Sequence, residues 1–234
     1  MKILSFDVGI KNLSFCLLND TVIEDWGILN ICIDDVCDHK NAKTGQRCDK
    51  SVKFVCKNGG FSCTDEFKVC SGHKKLKQYS DKKFKCQPKK KNHMLEQGIK
   101  MVETLQIKDD FLKADLVVIE NQPALKNPTM KSIQMILYSY FLIQGVTSNN
   151  SSIDNIQMIN ARNKLKAYTG PPIECDIKDK YKKTKSLGIE YCKFMIGESE
   201  QSDTWINLFT TSKKKDDLAD AYLQGMYVLQ STLI

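Results

Sequence analysis

Two short apolar segments of this chain each end near a carboxylate, and no other feature constrains the fold as much. Residues 2–8 (K-I-L-S-F-D-V) form an apolar run that carries Asp7 beside Phe6 and stops at Gly9. Residues 114–120 (A-D-L-V-V-I-E) form a second compact run, rich in β-branched side chains and closing on Glu120. Such side chains suit a pleated, buried surface, so both runs read as interior strands. A carboxylate at the end of a buried strand is costly unless a cation or hydrogen-bond donors replace its lost hydration.

The pattern around these strands extends the reading. Residues 13–18 and 21–29 follow the first strand across turn residues at 9–12 and 19–20, which predicts a three-stranded meander. Apolar positions 94, 95, 99, 102 and 105 recur at helical spacing. Pro128 can open a helix whose inward face is Ile133, Ile136, Leu137, Tyr140 and Phe141. After a polar break at 148–152 comes a short strand at 156–159. Pro171-Pro172 marks a loop, and helices are expected over 179–195 and 216–229. Strands first, then alternating helix and strand, predict an α/β fold with a mixed sheet.

Asp217 and Asp220 stand three apart at the start of the last of these helices, so they share one face. Ala219 and Ala221 beside Asp220 let that end approach another element closely. Two strand carboxylates and two helical ones make a candidate oxygen-rich site for hard divalent cations. Each has a plain alternative: Asp-x-Gly as a turn, Glu120 as a loop contact, Asp216-Asp217 as a cap favoured by the helix dipole. Their combination in this chain order is more specific than any one of them.

The chain has 234 residues, 41% hydrophobic and 27% charged, enough for one domain or for one domain carrying an insertion. Aromatic content of 9% argues against a disordered chain. No window holds eighteen uncharged apolar residues, the longest apolar stretch (133–146) being interrupted by Gln134, Ser139 and Gln144, and Asp7 interrupts the N-terminal apolar run. An intracellular protein with no membrane partner is therefore expected. Ten cysteines in such a protein point to metal binding or burial rather than to disulfides. Seven of them (32, 37, 48, 56, 63, 70 and 86) are crowded into one stretch. The net charge of +7 is equally uneven, because residues 34–93 hold sixteen Lys/Arg against seven Asp/Glu. A basic segment on a near-neutral body suits a polyanion, most often nucleic acid; the alternative is a solvated lysine-rich loop. Residues 32–93 thus read as a cysteine- and lysine-rich insertion in a body made of 1–31 and 94–234.

Within the insertion, C-S-G-H (70–73) has the C-x-x-H spacing that puts two ligands on one metal. Cys37 and Cys48 flank a basic, glycine-containing loop. The best four-ligand set is Cys37, Cys48, Cys70 and His73, a tetrahedral Cys₃His zinc site with a structural role. Cys56, Cys63, Cys86, His39 and His93 stay open as substitutes, as do reduced free cysteines. Zinc would supply folding free energy to a segment too polar to build a core of its own. Lys74, Lys75, Lys77, Lys82, Lys83, Lys85 and Lys89 to Lys91, with Tyr79 and Phe84 among them, suit contacts to phosphates. Cys16, Cys175 and Cys192 read as ordinary buried or half-buried thiols, and Trp26 and Trp205 as packing residues.

The order of early-strand Asp, mid-chain strand Glu and C-terminal D-x-x-D resembles the ribonuclease H-like superfamily. Within it the chain looks most like the RuvC-type Holliday-junction resolvases, above all the poxvirus-type enzymes and their relatives in other large DNA viruses. The matching segments are F-D-V-G-I-K-N-L (6–13), V-I-E-N-Q-P (118–123), N-P-T-M-K-S-I-Q (127–134) and K-K-D-D-L-A-D-A (214–221). They span the chain except for about 32–93. The resemblance implies a mixed sheet flanked by helices and a crossover-junction endonuclease serving viral DNA recombination or replication. Asp7, Glu120, Asp217 and Asp220 would be its metal-binding, catalytic carboxylates. It further implies a homodimer on branched DNA, since one junction needs two cuts, and the host cytoplasm as the place of action. The family also has a lysine near the start of the penultimate helix. Within D-K-Y-K-K-T-K-S-L (179–187) the candidates are Lys185 first and Lys182 second, with phosphate contact on a solvated face as the alternative.

Phosphodiester hydrolysis needs an activated water and charge stabilisation at both the attacking and the leaving oxygen. Two Mg²⁺ ions about 3.5–4 Å apart supply both, and Mn²⁺ can substitute. In this hypothesis Asp7 bridges the pair, Glu120 holds one ion, and Asp217 and Asp220 hold the other. No small-molecule cofactor is expected. The same carboxylates would equally serve a nuclease for flaps, forks or RNA–DNA hybrids. A non-catalytic zinc-containing nucleic-acid-binding protein is the remaining alternative. Actin-like kinases also begin with strand-Asp-x-Gly, but they need a second half and glycine-rich phosphate loops that this chain lacks.

Overall fold

The N-terminal apolar run becomes the central strand of a five-stranded mixed sheet. In the computed structural model, which describes residues 1–33, 35–48, 50–57, 66–87, 93–199 and 201–232, the strands and helices follow the chain in this order. The strands are β1 (Lys2–Asp7), β2 (Leu13–Asn19), β3 (Val22–Leu29), β4 (Phe54–Lys57), β5 (Glu66–Val69), β6 (Lys85–Cys86), β7 (Leu116–Glu120) and β8 (Asn155–Ile159). The helices are α1 (His93–Gln106), α2 (Pro128–Phe141), α3 (Lys180–Glu198), α4 (Asp203–Thr211) and α5 (Lys215–Thr232). The chain divides into two units, 1–31 with 98–234, and 32–97.

In the first unit the sheet order is β3-β2-β1-β7-β8. The meander β1-β2-β3 is antiparallel, whereas β7 runs parallel to both β1 and β8. Phe6 lies opposite Ile119 in the parallel pair, so Asp7 and Glu120 follow side by side at the same end of adjacent strands. Successive side chains alternate between faces, and each face has its own core. Ile3, Cys16 and Leu18 pack with Cys192, Ile196, Tyr222 and Leu223 of α3 and α5. Leu4, Phe6 and Phe15 pack on the other face with Phe111, Leu137 and Phe141. Strands covered on both faces must be apolar throughout, which is why these runs are so legible.

Helix α5 lies very close to the sheet. A Cβ on Gly225 would come within 2.8 Å of Leu18 Cδ1 and 3.3 Å of Ser5 Cβ. Three side chains of the sheet donate to carbonyls near the start of α5: Ser14 Oγ to Asp217 (2.7 Å), Trp26 Nε1 to Leu218 (3.1 Å) and Ser5 Oγ to Ala221 (2.8 Å). Gln224 Nε2 donates back to Phe6 O at 3.0 Å. These bonds fix the depth and rotation of the turn that carries Asp217 and Asp220. Trp26 stacks on Phe209 with 5.4 Å between ring centroids, and Trp205 Nε1 donates to Ile23 O, so both tryptophans are packing residues.

Two elements depart from the sequence pattern. Helix α4 is short, and Ser202 caps it by accepting from Thr204 N. A 3₁₀ turn at Lys164–Ala167 follows β8. No helix among the described residues is long and apolar enough to cross a membrane.

The second unit corrects the expectation of a segment with no core. Its strands form a small antiparallel sheet in the order β5-β4-β6. Cys37, Val69 and Cys70 are buried, with Cys48, Phe54, Phe67, Tyr79 and Phe84 half-buried around them. The aromatics are scattered singly among lysines in the sequence, and strand pairing with a 3₁₀ turn at Lys77–Tyr79 gathers them. Lysine stems cover them from outside, with Lys74 Nζ 4.0 Å above the Phe54 ring and Lys82 Nζ 5.5 Å above that of Phe67. Cys63 and Lys89 to Lys91 lie outside the described residues.

Candidate active site

At the end of the central strands, the Asp7 and Glu120 side chains share a hydrogen bond. Burial, then this bond and the Glu120 charge, push the Asp7 carboxyl well above its usual range, while Lys164 and Lys185 pull it down. Gly9 makes the turn after Asp7 possible, because a Cβ there would lie 2.3 Å from Asn12 O.

Helix α5 adds two more acids. Burial raises Asp220 to about 6 against the pull of Lys164, with the Asp7 charge adding to the rise. Asp217 is also raised, first by burial and then by the charges of Asp216 and Asp7. Its Oδ2 is buried without a hydrogen-bond partner among the described residues, and the nearest ammonium, Lys214 Nζ, stands off at 3.8 Å. The four acids expected from the sequence thus come from three elements and feel one another's charge. Gly188 of α3 leaves room beside them, since a Cβ there would sit 3.6 Å from Asp220 Oδ1.

The lysine closest to these carboxylates was not among the sequence candidates. Lys164 Nζ lies 2.5 Å from Asp220 Oδ2 and 4.0 Å from Glu120 Oε2, and its side chain is only 10% exposed. Burial disfavours its charge, but Asp220, Glu120 and Asp7 more than offset this and raise its pKa. The local sequence K-L-K-A gives no reason to bury this lysine; only the assembled acids do. Lys185 instead reaches Asp216 Oδ2 at 2.5 Å, and its Nζ is 5.3 Å from the Tyr181 ring centroid. That bond raises the Lys185 pKa well above its ordinary value. Lys182 is exposed, and its backbone N–H donates to the helix-capping Asp179 Oδ1. Because α4 intervenes, the helix bearing these lysines is third from the end.

Hard oxygen donors, an orphaned carboxylate oxygen and acids whose pKa values are raised by burial and by one another's charge together fit a divalent cation. Asp7, Glu120, Asp217 and Asp220 are the residues that would hold it.

The second unit gathers a different donor set. One ligand atom from each of Cys37, Cys48, Cys70 and His73 falls within a group whose members all lie within 4.8 Å of one another. Cys37 Sγ and His73 Nδ1 are 3.3 Å apart. His39 lies outside this set: its ring is 3.9 Å from that of His73, and its Nδ1 is 2.9 Å from Tyr79 Oη. Cys56, Cys86 and His93 do not join the set.

No model of a known protein family matches the chain. An uncharacterized protein of Acanthamoeba polyphaga mimivirus is 29% identical over 313 aligned positions, covering 98% of this chain and 75% of that protein. Among solved structures, the yeast mitochondrial Holliday junction resolvase superposes with a TM-score of 0.52 at 14% identity, over 97% of this chain and 78% of that one. The fowlpox virus resolvase in complex with Holliday junction DNA gives 0.45 at 15% identity, over the full length of both chains. Thermus thermophilus RuvC gives 0.45 at 10% identity, over 100% of this chain and 96% of that one. The likeness to the yeast protein establishes the fold as ribonuclease H-like, a mixed five-stranded sheet flanked by helices.

Proposed function

We propose that the chain is a Mg²⁺-dependent endonuclease that resolves four-way DNA junctions, acting as a homodimer. The observation that carries the reading is the meeting of Asp7, Glu120, Asp217, Asp220 and the buried Lys164 at one end of a ribonuclease H-like sheet. The yeast neighbour that shares this fold is a Holliday junction resolvase, which supports branched DNA as the substrate. A junction has two strands to cut, which supports two active sites and hence two copies of the chain. The sequence likeness to a mimivirus protein supports a viral setting, in which junction resolution would serve DNA recombination or replication.

Two divalent ions held by these carboxylates would supply Lewis acidity at the attacking and leaving oxygens of the phosphodiester. The chain's own residues prepare for that binding. Burial raises the Asp7 and Asp220 carboxyls, so a bound cation would favour the ionised form of each that acts as a ligand. Lys164 keeps its charge, donates to Asp220 Oδ2 and fixes that carboxylate's orientation. Lys185 does the same for Asp216, so the neighbouring Asp217 is left to face the site.

The test is cleavage of a labelled immobile four-way junction, run beside linear duplex, flap and RNA–DNA hybrid, with Mg²⁺ or EDTA. Paired symmetric nicks in the junction, lost with EDTA and in Asp7→Asn while binding persists, are expected. Preference for another substrate would replace the junction assignment and keep the site. Full cutting by Asp7→Asn would overturn the site itself.

A further inference from the structure

The second unit has a small core for its length. Among its described residues the buried cluster is Cys37, Val69 and Cys70, ringed by half-buried aromatics, with Val52 and Cys56 as the other buried apolar side chains. A unit of this size with so few buried side chains ordinarily needs a covalent or metal staple. Its described cysteines are free thiols, so disulfides among them do not supply one. Two of the three residues of that cluster are themselves members of the Cys37–Cys48–Cys70–His73 group. In a tetrahedral site with Zn–S about 2.3 Å and Zn–N about 2.0 Å, neighbouring ligand atoms stand on the order of 3.5–3.8 Å apart. The 4.8 Å bound on the group, and the 3.3 Å between its sulfur and imidazole, need only small adjustments to reach that shape.

The surroundings of the group are ordered in the same sense. Cys37 and Cys48 flank the loop 38–47, which Arg47 closes by donating to the carbonyls of Val36 and Cys37. Cys70 leads out of β5 and His73 opens a 3₁₀ turn, so one ion would join the loop to the sheet. His39 packs on His73 and ties to Tyr79, the last residue of the next 3₁₀ turn. Between and beyond these tethers the chain carries Lys74, Lys75, Lys77, Lys82, Lys83 and Lys85, with Asp81 as the sole acid in that stretch. None of the six pairs with a carboxylate of the described residues, and all but Lys82 are exposed. Lysines at this density, without ion pairs among the described residues, suit a phosphate backbone.

We propose that Cys37, Cys48, Cys70 and His73 bind one zinc ion through three thiolates and one imidazole, and that this ion holds the lysine-bearing segment 74–85 in place to grip DNA phosphates. Binding displaces three thiol protons to solvent and leaves a site of net charge −1. Zinc binding itself is independent of the nuclease reading; the choice of DNA as the polyanion rests on it.

The first readout is metal content. Full-length chain produced with zinc and freed of loose metal should carry one zinc per chain. Cys70→Ser and His73→Gln should lose most of it, while Cys86→Ser, an exposed cysteine outside the group, should keep it. Cobalt exchanged into the site should give the intense visible bands and the sulfur charge-transfer band of a tetrahedral thiolate site. The second readout does not depend on any variant folding. Removing zinc from the native protein with phenanthroline should open the 32–97 segment to protease, and zinc but not Mg²⁺ should restore protection. DNA binding by Asp7→Asn without Mg²⁺ should weaken in the zinc-stripped protein, its salt slope falling by about 0.9 for each phosphate that the lysines release. Absence of stoichiometric zinc, or equal loss in Cys86→Ser, would overturn the site. An unchanged salt slope after zinc removal would overturn the DNA grip. A chain that holds zinc and binds DNA yet cuts nothing would defeat only the nuclease reading.

Discussion

Replacing Asp7 by Asn should stabilise the metal-free protein while removing its response to Mg²⁺. Without a cation, burial and neighbouring negative charge raise Asp7, Asp217 and Asp220. Asp220 is displaced from 3.8 to about 6, and Asp7 is pushed well above its usual range. At about 1.4 kcal/mol per pKa unit, the Asp220 displacement alone corresponds to roughly 3 kcal/mol of destabilisation at neutral pH. The Asp7 charge contributes to that rise and to the rise of Asp217. An Asn at this position keeps the shape and can donate its amide to Glu120, so it relieves repulsion without opening a cavity. A net gain of about 1–3 kcal/mol is expected, which for a chain of this size is a Tm higher by about 2–10 °C in EDTA. The sign with pH follows from the raised acids. Their contribution favours folding most below pH 3.8 and is lost as pH rises through about 6. The advantage of the variant should therefore be largest above pH 6 and shrink toward pH 4. Differential scanning fluorimetry of both proteins, in EDTA and in Mg²⁺ across that range, measures it directly. A variant less stable than wild type in EDTA, or an equal Tm rise with Mg²⁺ in both proteins, would refute the reasoning.

Three further outcomes follow from the same geometry. Lys164→Gln leaves Asp220 and Glu120 without their buried cation and should slow single-turnover cleavage by about 100-fold or more; a rate within twofold of wild type would remove Lys164 from the site. The apparent Mg²⁺ affinity, read from cleavage against Mg²⁺ concentration, should rise between pH 5 and 7 as proton competition at Asp220, raised to about 6 without metal, is relieved; an affinity independent of pH over that range would contradict the raised carboxyls. Gly225→Ala pushes a methyl group against Leu18 and Ser5 and should cost about 1–3 kcal/mol by overpacking, read as a lower Tm by thermal melting; an unchanged Tm would mean α5 does not lie so close to the sheet.

Much of this architecture is written in local pattern. Strands buried on both faces are continuous apolar runs, so β1 and β7 stand out, and a charge at the end of each is conspicuous because it is expensive. Asp217 and Asp220 are legible for a related reason: helical spacing puts them on one face, and the small residues around Asp220 permit close approach. The elements missed are those whose stabilising partners are distant in sequence. Lys164 is buried because acids from β1, β7 and α5 surround it, and nothing in K-L-K-A announces them. Helix α4 is held by Trp205 and Phe209, which reach β3, and its nine residues are too few for periodicity to speak. In the second unit, the aromatics that form its core are separated by lysines and meet through the register of β4 with β5 and β6 and the 3₁₀ turn at Lys77–Tyr79.

The way the two lysines are used predicts a ranking among the four acids. Lys164 is committed to Asp220 and, at longer range, to Glu120; Lys185 is committed to Asp216. Asp7 and Asp217 are left without an ammonium closer than the 3.8 Å of Lys214, and Asp217 also has the orphaned oxygen. A partly compensated carboxylate gains less from a cation than an uncompensated one, because its charge is already offset. The demand for metal should therefore be concentrated on Asp7 and Asp217. Mg²⁺-induced stabilisation, followed by Tm at fixed pH, should fall most in Asp7→Asn and Asp217→Asn, and less in Glu120→Gln. Equal losses in all three, or the greatest loss in Glu120→Gln, would mean that Lys164 does not compensate its neighbours as its position requires.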